Sequence, residues 1–220
     1  MPVFLRPTRR DVMIAGGLAA MVPGAAAAAL EPTPSQTAGP FYPVEVPLDP
    51  DADLVQVAGR ANEAAGTVLH LAGRVVDVRG RPIEGARVEI WQCDAFGHYH
   101  HPGDRGGRAD PDFQGFGYTR TRDDGAYRFR TIEPVPYPGR TPHVHVKVIA
   151  PGGGGLTTQM YIEGHPLNPR DGLWRRLGEQ ARLVTVPLVP AADLEPARKS
   201  GAVRATFDLV LGVTPGEDAA

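Results

Sequence analysis

The sequence predicts an all-β fold: a two-sheet antiparallel β-sandwich with a Pro-rich N-terminal arm and a short helix. Three observations predict it. Seven runs of β-forming residues recur at short spacing along the chain. Turn signals separate them, supplied by 27 Gly and 23 Pro in 220 residues. The chain is 42% hydrophobic, enough for one domain with a real core. A formal net charge of −2, with no basic stripe, argues against a nucleic-acid partner. Cys93 is the single cysteine, so no intrachain disulfide can form and stability must come from packing or a metal.

The elements follow in order. Residues 1–29 read as a twin-arginine export signal: Arg9 and Arg10 precede the apolar "VMIAGGLAAMV", and the small-residue stretch "PGAAAAAL" suits a signal peptidase. The apolar run is shorter than the roughly 20 residues that span a bilayer, so no stable membrane span is expected after cleavage. The expected location is therefore periplasmic or secreted. Residues 30–60 read as an extended arm, because Pro32, Pro34, Pro40, Pro43, Pro47 and Pro50 forbid regular structure there. Residues 61–213 form the β-sandwich. Its runs are "VLHLAGRVVDV", "ARVEIWQCD", "GAYRFRTI", "HVHVKVIA", "LTTQMYIEG", "RLVTVPLV" and "VRATFDLVLG". "RGRP" and "RDDG" are turns, "PGGGG" is a hairpin tip, and "PRDGLWRRLGEQ" places the short helix near 170–178. Residues 214–220 read as a frayed tail.

The stretch "PHVHVKV" (142–148) carries the chemistry. Successive strand side chains alternate in direction, so His143, His145 and Lys147 share one face while Val144, Val146 and Val148 share the other and face the core. Imidazoles about 7 Å apart on one face can converge on a single metal, or can simply be hydrogen-bonded or exposed strand histidines. Two tyrosines bear on the choice: Tyr137 lies six residues before His143, and Tyr99 just past the end of "VEIWQCDAFGHY". Tyrosine, with an ordinary pKa of about 10, ligates at neutral pH only where a hard, highly charged ion removes its proton. Two phenolates and two imidazoles favour iron(III).

The stretch "LAGRVVDVRGRPIEGARVEIWQCDAFGHY" (71–99), with Gly80, Pro82, Gly85 and Val88, resembles the defining segment of the intradiol ring-cleavage dioxygenases, the family of protocatechuate 3,4-dioxygenase and catechol 1,2-dioxygenase. "PYPGRTPHVHV", "TTQMYIEG" and the arm "TPSQTAGPFYP" match as well, so the resemblance covers residues 33–165. It implies one Fe(3+) per subunit, held by Tyr99, Tyr137, His143 and His145. Tyr99 is the permanent tyrosinate and Tyr137 the one that leaves when substrate binds. Arg140 matches the guanidinium that lies over the bound ring, and Gln159 the glutamine beside it. The implied reaction uses O2 to open a catechol-type, protocatechuate-like ring between its two hydroxylated carbons, giving a cis,cis-muconate. The displaced Tyr137 is one acceptor for the catechol protons. Arg140 stabilises the carbanion-like ring electrostatically.

Only "PGRTP" separates Tyr137 from His143, shorter than in better-known members, which leaves the substrate open. The chain resembles the compact protocatechuate-type subunit, a type that assembles as homo- or hetero-oligomers. His98, His100 and His101 read as a polar loop at the site mouth, with a zinc site as the rival. Cys93 reads as a buried small residue, and Trp91 and Phe129 as core. A rival of another class is a non-catalytic, transthyretin-like binding module.

Overall fold

The computed structural model describes residues 29–47, 50–195 and 201–212. The export signal and the C-terminal tail lie outside the described residues, apart from Ala29. Among the described residues are ten strands in two sheets. The first sheet is centred on β1 (Val68–Asp77), whose one edge pairs antiparallel with β4 (Ala126–Ile132). Its other edge pairs in parallel with β9 (Val203–Thr206) and then β10 (Leu209–Leu211), and β8 (Val189–Pro190) closes beyond β9. The second sheet runs β3 (Phe116–Arg120), β2 (Arg87–Trp91), β5 (His143–Ile149), β6 (Gly155–Ile162), β7 (Thr185–Val186).

The sandwich is as expected, but its sheets are mixed rather than purely antiparallel. The parallel pairs come from chain returning over the top of the fold: β7 joins β6 after a helical excursion, and β9 and β10 join β1 from the far end of the sequence. Two predicted runs are broken. "RLVTVPLV" starts as a 3-10 turn (Gly178–Leu183), and Pro187 splits what remains into β7 and β8. "VRATFDLVLG" is interrupted at Phe207, whose N–H bonds to the Ala72 carbonyl, and at Asp208, whose carboxylate accepts from the Arg74 N–H. Strand β3 has no counterpart in the sequence reading, because the Gly-, Asp- and Pro-rich stretch ahead of it and Gly117 inside it mask the pattern. Gly117 has a reason to be glycine: a Cβ there would lie 2.3 Å from the Asp51 carbonyl oxygen of the arm.

The short helix is present as α1 (Gly172–Arg176), preceded by a single 3-10 turn at Asn168–Arg170. Asp171 caps it, accepting from the Leu173 and Trp174 N–H groups. The "PGGGG" tip joins β5 to β6, and Gly152, Gly153 and Gly154 all take positive φ there. No helix among the described residues is long and apolar enough to cross a membrane.

The core lies between the sheets. Leu69, Leu71 and Val75 of β1 and Phe129 of β4 meet Val88 and Ile90 of β2, Val144, Val146 and Val148 of β5, and Met160 of β6. The valines of β5 are essentially inaccessible, as the alternation requires. The opposite face of β5 carries a second, smaller cluster built on Trp91, Cys93, Tyr99 and Phe116, roofed by Ala38, Phe41 and Tyr42 of the arm. The arm is strapped down by the Gln36 N–H to the Thr157 carbonyl, the Leu54 N–H to the Arg130 carbonyl, and the Tyr42 hydroxyl to Glu89.

Candidate metal and substrate site

Sheet register builds the site. On the outer face of the second sheet, Trp91 of β2, His145 of β5 and Gln159 of β6 stand in one row across three strands. His143 stands one position pair along, opposite Tyr161. Trp91, read from the sequence as core, is buried but stacks flat on His145, with centroids 4.7 Å apart and planes 4° from parallel. Loops bring in the rest: Tyr99 follows the turn after β2, and Tyr137 and Arg140 sit on the turn that enters β5.

Tyr99, Tyr137, His143 and His145 form a closed circuit of rings. Centroid separations are 5.7 Å for Tyr99–Tyr137, 5.5 Å for Tyr137–His143, 4.8 Å for His143–His145 and 6.4 Å for His145–Tyr99. The imidazoles, two positions apart on the strand, meet edge to face, their planes at 79°. Tyr99, His143 and His145 are buried, and Tyr99 Oη, His143 Nε2 and His145 Nδ1 have no hydrogen-bond partner. Buried polar atoms are ordinarily paired, so orphans on three of the four rings of one circuit mark a place built for something else. His143 Nδ1 lies 2.7 Å from the Thr141 carbonyl, which as an acceptor requires the proton on Nδ1 and leaves the Nε2 lone pair free.

Burial sets the protonation states. It pushes the His143 pKa down to about 3 and that of His145 well below the usual range, with the neighbouring Arg140 charge, and for His145 also His143, adding to the effect. Both are neutral and able to ligate. Burial raises Tyr99 well above its usual value, with Tyr137 adding to the rise, and it raises Tyr137 despite the nearby Arg140. Both phenols keep their protons unless a cation displaces them. Two ready imidazoles and two phenols that require a hard cation fit iron(III).

Arg140 reaches over this circuit. Its Nη1 donates to Tyr137 Oη at 3.3 Å, its Nη2 donates to Gln159 Oε1, and its Nε donates to Asp171 Oδ2 at 2.8 Å. Gln159 in turn donates to the Thr37 carbonyl of the arm at 3.1 Å and accepts from the Tyr161 hydroxyl. Phe41 of the arm stacks on Tyr99 at 4.6 Å. All six residues singled out from the sequence, Tyr99, Tyr137, Arg140, His143, His145 and Gln159, therefore lie together, and all come from one chain. Beside Tyr99 opens a cavity of about 880 Å³ whose lining includes Phe41, Trp91, His100, His101 and Arg108, within the size range of small-molecule pockets.

The remaining histidines stand apart from the circuit. His100 Nε2 meets the Asp110 carbonyl at 2.8 Å and His101 Nδ1 accepts from Gly103 N–H, both within the loop that lines the cavity. Among the described residues no group of three or more His, Cys, Asp or Glu converges as a metal site. Cys93 is buried, and burial pushes its thiol up to about 12, that of an inert packing residue. Sequence reasoning missed Phe41, Thr141 and Asp171. Phe41 and Thr141 lie inside the matched stretches without being singled out, and Asp171 carried a signal only as the polar residue opening "DGLWRR" at a helix start.

Fold and site together have the form of an aromatic-ring dioxygenase domain. The profile of the family described as Dioxygenase (Dioxygenase_C) matches residues 37–212. The chain is 32% identical over 219 residues to the protocatechuate 3,4-dioxygenase beta chain of Burkholderia cepacia, covering 96% of this chain and 89% of that one. It is 32% identical to the hydroxyquinol 1,2-dioxygenase of Corynebacterium glutamicum, covering 79% of this chain and 61% of that protein. Several catechol and hydroxyquinol relatives are matched over about half their length. Among solved structures, the dioxygenase domain of a dioxygenase carbohydrate-binding protein fusion from Streptomyces sp. SirexAA-E superposes with a TM-score of 0.65 at 32% identity, covering 84% of this chain and 100% of that one. The chain belongs to the intradiol ring-cleavage dioxygenase family, an enzyme family of oxidoreductases.

Proposed function

We propose that this chain is a non-haem iron(III) intradiol dioxygenase that opens a catechol-type, protocatechuate-like ring between its hydroxylated carbons. The observation that carries the reading is the ring circuit, with orphaned buried atoms on three of its rings and the Arg140 guanidinium bonded to the fourth. Tyr99, Tyr137, His143 and His145 would hold the iron. When bound, the iron supplies the electronic coupling that makes a catecholate ring reactive toward O2.

The chain's own groups do the rest. The Thr141 carbonyl keeps the His143 proton on Nδ1. Tyr137 is the more exposed of the two tyrosines, and its oxygen already faces the Arg140 fork. With the metal held it would be a phenolate, and it is the one suited to take a proton from an incoming catechol hydroxyl at Oη. Arg140, fixed and partly dry, stabilises negative charge that develops on the ring. Phe41 of the arm and Trp91 hold the Tyr99 and His145 rings in place by stacking on them. The substrates named for two of the relatives, protocatechuate and hydroxyquinol, are catechols bearing a further polar substituent, and Arg108 and the His100–His101 loop at the cavity are suited to meet one.

We also propose that the protein is exported by the twin-arginine route, a path for folded cargo that suits loading the metal first. The test of function is turnover with a panel of catechols under ¹⁸O2. Both labelled atoms are expected in a cis,cis-muconate product. Cleavage beside, rather than between, the hydroxylated carbons would overturn the reading.

A further inference from the structure

We infer that Asp171 is the positioning residue of this site: it aims the Arg140 guanidinium and, through Thr141, fixes the turn that presents His143. The inference rests on the function proposed above for Arg140.

Asp171 is 1% exposed, and its two carboxylate oxygens have divided work. Oδ1 accepts from the Leu173 N–H at 2.8 Å and the Trp174 N–H at 3.1 Å. That is a helix cap, and it explains one oxygen only. Oδ2 accepts from Arg140 Nε at 2.8 Å and from the Thr141 N–H at 3.0 Å. Neither bond serves the helix. Arginine is a long, rotamer-rich side chain whose planar fork is useful only when its plane is set. With Nε tied to Asp171, the plane of the guanidinium is set, and its two Nη groups meet Tyr137 Oη and Gln159 Oε1. The carboxylate thus offsets the cost of burying the guanidinium and leaves the two Nη groups to Tyr137 and Gln159. The second bond holds the peptide between Arg140 and Thr141, and the carbonyl of Thr141 is the acceptor that sets the His143 tautomer. One side chain outside the ring circuit therefore fixes the direction of a cation and the backbone under a metal-binding imidazole.

The test uses Asp171→Asn, which keeps an oxygen for the helix cap and can turn a donor toward Arg140. In iron-free protein, the Nε–H of Arg140, assigned by its loss in Arg140→Lys, is expected to exchange slowly in ¹H–¹⁵N spectra and to lose protection in Asp171→Asn. In iron-loaded protein, Asp171→Asn is expected to lower kcat about 10–100-fold while KM moves less and the tyrosinate colour is kept. The double variant Arg140→Lys with Asp171→Asn is expected to be no slower than Arg140→Lys alone. Unchanged protection, a kcat within twofold of wild type, or multiplicative losses in the double variant would each overturn the inference. Should Asp171→Asn not fold, Asp171→Ser, which caps the helix but does not reach Arg140, carries the same test. Failure of both to fold would make Asp171 a structural cap and overturn the inference. If wild type turns over no catechol, the proposed function fails, while the exchange measurement still decides whether Asp171 holds Arg140.

Discussion

Replacing Tyr99 by Phe separates a residue kept for folding from one kept for a metal. Tyr99 is 5% exposed, its ring packs on Phe41, and its hydroxyl has no hydrogen-bond partner. An unpaired buried hydroxyl costs about 1–3 kcal/mol. Removing the oxygen while keeping the ring retains the stacking and relieves that cost. Metal-free Tyr99→Phe is therefore expected to be more stable than metal-free wild type by about 1 kcal/mol or more, a rise in Tm of about 2–4 °C per kcal/mol for a chain of this size. In the metal-loaded proteins the order reverses, because ligand binding to the folded state adds stability only where the metal is held. The assay is thermal unfolding of both proteins after chelation and after reconstitution with iron. A metal-free Tyr99→Phe less stable than metal-free wild type by 1 kcal/mol would refute the reasoning, since the hydroxyl would then have a folding role.

Three further outcomes follow from the same geometry. Gly117→Ala sets a methyl 2.3 Å from the Asp51 carbonyl and 2.6 Å from Leu54 Cδ1; it is expected to lower Tm and to open the 41–54 arm to limited proteolysis, and an unchanged digestion pattern would count against the arm as a docked roof. Glu195 is held below its usual carboxylate pKa chiefly by its hydrogen bonds to Arg130, with burial opposing and His70 assisting; a lowered folded pKa gives stability that is present above about pH 4.5, the usual value, and lost as pH falls through the lower folded value. Glu195→Gln should thus be less stable than wild type at neutral pH, with the gap closing in acid, and a gap that widens in acid would reverse the sign. His98→Gln is expected to keep iron and colour, because His98 stands outside the ring circuit; loss of iron would revive a site built on the 98–101 histidines.

Much of the site was legible because its signals are local. The His143–His145 spacing fixes a shared strand face in any register, and the alternating valines state which face meets the main core. Tyr99 and Tyr137 stood out by their chemistry near the histidine pair, but their roles, and Arg140 altogether, became legible only through motif resemblance, since nothing in their own neighbourhoods says that two loops meet the same strand. Asp171 and Phe41 were not legible as site residues: each acts across 30 or more positions of sequence, by hydrogen bonds or a ring stack that only the folded chain creates. The same limit applies to the fold. Strong alternation in β1, β4, β5 and β6 could be read directly, whereas β3, carrying Gly117, and the split of the last run at Phe207 depend on what packs against them. The parallel pairs of β1 with β9 and β10 join residues more than a hundred positions apart, beyond the reach of any local pattern.

The central claim is that two tyrosines and two histidines hold iron(III) beneath Arg140. The visible spectrum of the purified protein, recorded before and after adding catechols without oxygen, tests it most directly. A broad red-brown tyrosinate-to-iron(III) band that moves to longer wavelength with a chelating catechol is the predicted result. A colourless protein that iron cannot reconstitute would contradict the account.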